Sequence, residues 1–158
     1  MLAHEIHDYL EKPDRLLTRL SKLFDHLLEE YSFFEFSSMK ADIVKKSHSK
    51  KILLQEQTPH GLFVFEAIIF NPGIFTGPHT HSEYFIEKIV SGEIEERQYR
   101  REGNQYLLAD TVTRSSDEPK REINCPDLFP HNVKAIHGQT HSFCLSFGQS
   151  PIQAINAR

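Results

Sequence analysis

Apolar residues in the first thirty positions recur at helical spacing. Leu16, Leu20, Leu23 and Leu27 form one stripe, with Leu17, Phe24 and Leu28 beside it; side chains three and four apart share a helix face. Residues 2–30 therefore read as helical, with Pro13-Asp14 as a start signal. A stripe of this kind predicts a helix laid on the rest of the domain. The aromatic run YSFFEF follows at 31–36, and MKADIVKK at 39–46 is long enough for one or two further turns.

The texture changes near residue 50. Short apolar segments now alternate with turn signals: KKILLQEQ, Thr58-Pro59-His60-Gly61, LFVFEAIIF, Asn71-Pro72-Gly73, EYFIEKIVSG, EIEERQYRR, Glu102-Gly103-Asn104 and QYLLADTV. The polar stretch RSSDEPKRE reads as a loop before HNVKAIHGQTHSFCLSF. Many short strands separated by turns predict a β-sandwich or barrel. The pattern gives one domain over 1–158, with a helical segment at 1–48 and a β body at 49–158.

Composition narrows the function. The chain carries 18 Lys+Arg against 22 Asp+Glu, a formal charge of -4. A general nucleic-acid binder usually has a basic excess, so nucleic acid is not the expected partner. The apolar runs are far shorter than the ~18 residues of a membrane span. The N-terminal residues lack the basic-then-apolar plan of a signal peptide. Cys125 and Cys144 cannot make a disulfide framework. These features predict a soluble, cytoplasmic protein with neither nucleic acid nor membrane as a partner. GxSxG, P-loop, CxxC and HExxH motifs are all absent from the sequence, which leaves serine hydrolase, nucleotide and zinc-protease readings without an anchor.

Ten histidines in 158 residues is a high share. Chance alone gives about 0.6 HxH pairs at that frequency, so His79-Thr80-His81 carries weight only through its geometry. Residues two apart on a strand face the same way. Two neutral imidazoles on one face can share a metal ion once a third ligand arrives. His131, after Pro130, opens a segment that could return to them. His4, His7, His26, His48 and His60 read as surface residues.

Gly73, five residues, His79-x-His81 and then Gly92 resemble the first cupin motif, and His131 resembles the single histidine of the second. That motif usually has a Glu seven residues before its last Gly; Phe85 stands there. A three-histidine cupin with a helical N-terminal segment is similar to the cysteine dioxygenase group of thiol dioxygenases. GEIEERQY, with Glu96 and Tyr99, resembles that group's stretch after the glycine, and FPHNVKAI resembles its second motif. The resemblance covers about residues 45–152. It implies a double-stranded β-helix (jelly-roll) from about residue 50 and a metal held by His79, His81 and His131. Iron(II) is the metal it implies first, with Zn, Ni or Mn as other ions such a site holds. It further implies a small-molecule substrate and O2 as partners, and leaves a homo-oligomer open.

The substrate side departs from that group. Its Ser, His and Tyr beside the substrate fall at Cys144, Ser146 and Gly148, and the position of its cross-linking Cys falls at Phe85. Lys51 is the nearest cation by register to the Arg that holds a substrate carboxylate. Phe85 and Lys51 are thus the substrate-binding candidates, with Cys144 and Ser146 beside the substrate. Phe63, Phe65, Phe70 and Phe75 are further candidates to line or support the pocket. Alternation from Phe85 turns Glu87 inward. A buried carboxylate needs a partner, which makes Glu87 a candidate fourth ligand, or an acceptor for an imidazole N–H; a salt bridge at the barrel mouth would satisfy it equally. The expected function is oxidation of a small thiol or similar anionic chelator. Another metal-dependent cupin enzyme, or a non-enzymatic small-molecule-binding cupin, remains the alternative.

Overall fold

The computed structural model describes residues 6, 15–39, 47–124 and 128–158. The Pro13-Asp14 start signal, His4, His7, Cys125 and most of the segment 39–46 lie outside them. Helix α1 runs Leu16–Glu30 and buries Leu20, Leu23, Phe24 and Leu27, as the stripe requires. Arg15, at φ 62, turns the chain into it. The aromatic run after the helix leads into a 3-10 turn, Phe36–Ser38, that begins on its last residue.

Ten strands follow among the described residues. Strands β1 (His48–Thr58), β2 (Gly61–Phe70), β4 (Tyr84–Ser91), β7 (Arg121–Asn124) and β9 (Thr140–Gly148) make one sheet, in the order β1-β2-β9-β4-β7. Strands β3 (His79–Thr80), β5 (Glu93–Glu102), β6 (Gln105–Ser115), β8 (His131–Ala135) and β10 (Gln153–Ala154) make the other, in the order β10-β3-β8-β5-β6. The pairings between strands are antiparallel. This is the jelly-roll that the resemblance implies, built of the short strands that the pattern predicts, and β7 lies partly within the stretch that read as a polar loop.

Alternation divides the apolar residues between two layers. Phe63, Phe65, Ala67 and Ile69 of β2 join Phe143, Leu145 and Phe147 of β9 in one cluster with α1. Ile68, Phe70, Phe85, Ile89 and Cys144 face the other way and pack with Ile94, Val133 and Ala135 of the second sheet. Both faces of β2 are covered, which is why its sequence reads as an unbroken apolar run. Phe63 and Phe65 therefore support the helix rather than the pocket expected from the sequence. Phe75 lies outside as well, with the Arg97 guanidinium 4.1 Å and the Lys134 ammonium 4.6 Å from its ring centroid.

Gly92 alone joins β4 of one sheet to β5 of the other. Its φ is 90°, and a Cβ there would meet Thr140 Oγ1 at 2.7 Å. Both the handedness and the space demand glycine. The crossing sets β5 beside β8 and so brings Glu96 to the histidines.

Candidate metal centre and cavity

His79 and His131 face each other directly across the β3–β8 pair. His131 thus comes from the neighbouring strand of the same sheet, not from an opposing sheet across the closed barrel. His81 lies just past β3, its backbone N–H donating to Leu128 O at 2.6 Å. The three ring centroids are 4.7–4.8 Å apart, and one ring nitrogen from each residue lies within 4.8 Å of the others. Leu128 and Phe129, immediately before Pro130, have φ of 57 and 47°. Two successive non-glycine residues in the left-handed region store strain, at the bend that delivers His131.

The nitrogens are assigned by their partners. His79 Nδ1 is 2.8 Å from Gly77 O, so it carries the proton and leaves the Nε2 lone pair free. His131 Nδ1 is 2.5 Å from Glu96 Oε1, which fixes the same tautomer. His81 Nε2 is 2.7 Å from His131 Nε2, and His81 Nδ1 has no hydrogen-bond partner among the described residues. The His81–His131 contact is a hydrogen bond in which His81 Nε2–H donates to the free His131 Nε2 lone pair, and three neutral imidazoles with ring nitrogens this close make a donor set that suits a divalent transition metal. The residues fit such an ion. Burial, then the charge of His131, pushes His79 down to about 3. Burial, His131 and His79 push His81 well below its ordinary value. Both rings are therefore in the neutral, metal-binding form at neutral pH.

Glu96 anchors the arrangement from β5. It is fully buried, and burial alone would raise its pKa. The hydrogen bond to His131 and the Arg121 guanidinium outweigh burial and hold it well below the usual carboxylate range. Arg121 donates to both Glu96 oxygens at 2.7 Å and to Glu87 Oε2 at 3.0 Å. Burial would lower the Arg121 pKa, but Glu87 and Glu96 raise it above its ordinary value. The imidazole acceptor is thus Glu96 and not Glu87. Glu87 does not belong to the converging group; the salt bridge considered for it exists, with Arg121.

A cavity of about 220 Å³ opens beside the histidines. Phe85 lines it, with its ring centroid 4.1 Å from that of His81. Cys144 and Glu87 line it as well. Burial, then the Glu87 and Glu66 charges, push the Cys144 thiol up, so it stays protonated and is no nucleophile. Ser146, two residues on, opens instead into a different cavity with Glu66 and Ser82. Lys51 does not reach the histidines. It pairs with Ala67, on the helix side of β2, and its ammonium lies 5.5 Å from the Phe34 ring centroid. Lys50, paired with Ile68, lines the cavity and sits 3.6 Å from Glu66. His48 shares that face and lines the cavity too, correcting its reading as a surface residue. Gly148, the Tyr position in the resemblance, lies against Glu83, and a Cβ there would collide with the Glu83 carboxylate.

No family model matches the chain, and no curated protein matches it. Solved structures do. One is a cupin superfamily protein from Desulfitobacterium hafniense: 12% identity over 72% of this chain and 86% of that one, TM-score 0.50. Another is the DMSP lyase DddQ from Ruegeria pomeroyi, at 14% identity, 77% of this chain, 58% of that one and TM-score 0.50. A third is an L-ribose isomerase from Cellulomonas parahominis, at 14% identity, 64% of this chain, 61% of that one and TM-score 0.50. The architecture is a cupin fold carrying a three-histidine group that could hold a metal ion. At these identities the likeness concerns the fold. The chain spans 58% of the lyase chain and 61% of the isomerase chain. Among the described residues, no helix is long and apolar enough to cross a membrane.

Proposed function

We propose that this chain is a metal-dependent cupin enzyme that uses His79, His81 and His131 to hold iron(II) and oxidises a small thiol with O2. The observation that carries the reading is the convergence of three buried or half-buried imidazoles at the wall of a small cavity. When bound, such an ion supplies Lewis acidity and electrons for O2 chemistry. In the overall reaction both oxygen atoms of O2 end on sulfur, and RSH becomes the sulfinic acid RSO2H. The chain's own part is positional. Gly77 O and Glu96 hold two ring N–H groups and so aim the opposite nitrogens. Arg121 balances the buried Glu96 charge. Phe70, Phe85 and Val133 line the cavity with apolar surface and exclude water.

The motifs around Gly73, His79, His81, Gly92 and His131 support the thiol-dioxygenase type. The pocket does not repeat that group's substrate side, since Gly148 has no room for Tyr and Lys51 is turned away. Cysteine itself is therefore not the proposed substrate. A second reading, a metal-dependent enzyme that consumes no O2, is favoured by Glu87. Its carboxylate lines the cavity and could take a proton from a bound substrate.

Metal analysis of the purified protein together with O2 uptake over a panel of thiols and a diketone tests the reading. One equivalent of metal and thiol-dependent uptake support it. His131→Ala should lose most of the metal and His60→Ala none. A full equivalent of metal in His131→Ala, or an iron-loaded chain inert to the whole panel, would overturn it.

A further inference from the structure

We propose that Glu87 is the group by which this cavity recognises its substrate, its Oε1 accepting a hydrogen bond from an ammonium or hydroxyl donor whose molecule reaches the histidine cluster with its other end. The inference rests on the reading above that the three histidines hold a metal and that the cavity beside them takes the substrate.

The Glu87 side chain is 3% exposed. Arg121 fixes its Oε2 at 3.0 Å. The other oxygen, Oε1, is buried with no hydrogen-bond partner among the described residues. Glu87 lines the same cavity as His79, His81 and His131. A buried carboxylate oxygen left unpaired is costly, and a ligand that supplies the donor recovers that cost. The tie to Arg121 holds the carboxylate in place, so little freedom is lost when a ligand docks.

The charges around the cavity fix the chemical class. Arg121 is already bound by two carboxylates, Glu87 and Glu96, and is not among the groups lining the cavity. Lys50 does line it, but lies 3.6 Å from Glu66. A ligand carboxylate at the Glu87 end would meet a like charge in a low-dielectric site. An ammonium there makes a charge-assisted hydrogen bond, roughly twice as strong as a neutral one. The cavity, about 220 Å³, limits the ligand to a small molecule. The substrate side therefore inverts the expectation drawn from Lys51: the charged group at this end of the cavity is an anion that selects a donor.

Zinc-loaded full chain is the test material, because zinc is redox-silent and binding is read without turnover. Two probes carry the same thiol and the same two-carbon spacer: cysteamine ends in an amine, 3-mercaptopropionate in a carboxylate. Calorimetric titration should show cysteamine binding at least about tenfold more tightly to the wild-type chain, a difference of about 1.4 kcal/mol. In Glu87→Gln the preference should collapse to less than about threefold, with zinc stoichiometry unchanged. Equal or reversed affinities in the wild-type chain overturn the proposal whether or not the variant folds. A preference that survives in Glu87→Gln overturns it as well. A wild-type chain that binds no zinc overturns the metal reading instead. The same probes titrated into the metal-free chain then decide on Glu87 alone, and absence of any amine preference there counts against it.

Discussion

Glu96 accepts from His131 with one oxygen and receives a two-point contact from Arg121 with both. A carboxylate placed between a ring N–H and a guanidinium remains ionised despite full burial, which keeps the His131 Nδ1–H in place. His79 and His81 stay neutral to a lower pH than an ordinary ring does. The His79 pKa is lowered from 6.5 to about 3, and that of His81 well below 6.5, by burial first and by neighbouring imidazoles next. In the unfolded metal-free chain these rings take up protons as pH falls through 6.5, while the folded chain takes none at His79 until about 3. The unfolded state then binds more protons, so stability is present above 6.5 and is lost as pH falls toward 3. Melting temperature of the metal-free chain should drop steadily between these limits. The slope should be shallower in His79→Gln, which removes one such group. A melting temperature that stays level or rises on acidification would contradict this account of the cluster.

At the scale of elements, the helix stripe and the strand alternation were readable because each repeats over many residues. Leu20, Leu23, Phe24 and Leu27, on the face that the 3.6-residue period gives them, share one core cluster with Phe65 and Phe143. Phe24 lies edge-on to Phe65 at 5.9 Å, and Phe143 stacks on Phe65 at 5.6 Å. Phe65→Ala should cost about 3–5 kcal/mol, as for other large aromatic truncations in a core. Urea unfolding measures it, and a loss below about 1 kcal/mol would show that the helix–sheet layer is not a packed core. The histidine triplet was legible for a different reason: HxH on one face and a later His after proline is a short motif with a clear geometry. What failed were offsets of one residue and contacts made at long range. The sequence points to Lys51 by register, and the structure puts Lys50 at the cavity instead: register cannot be counted across an uncertain gap, and one residue flips the side chain to the opposite face. Arg121 carried no signal, since RSSDEPKRE has a loop's composition, and only pairing with β4 aligns Glu87 with Arg121. Glu96, quoted for its resemblance alone, gains its role from the Gln98–His131 register that lays β5 along β8.

The whole molecule closes its cavity with its last described segment. Ile152 and Ala154 line the wall. Strand β10 is tied to β3 through just two residue pairs, Gln153 with Thr80 and Ala154 with His79. Backbone hydrogen bonds from Ile155 N–H to Pro78 O, from Arg158 N–H to Tyr106 O and from Leu108 N–H to Arg158 O, with a bridge between Ala157 and Tyr106, add to the attachment. Apart from this wall, the two core clusters that hold the sheets and the helix contain none of residues 152–158. Fold and enclosure are thus carried by different parts: the body holds the apolar packing, while the short strap supplies part of the cavity wall beside His79. A chain ending at Pro151 should keep the far-UV circular dichroism of the full chain. Metal loaded at the three histidines should pass to a chelator about tenfold faster or more, since changing the groups that surround metal ligands commonly costs about 10–100-fold in affinity. Pairing of Ala154 with His79 makes the effect local to the histidine side of the cavity. An unchanged transfer rate with an intact fold would mean that the route to the site runs elsewhere, past Lys50 and His48 on β1.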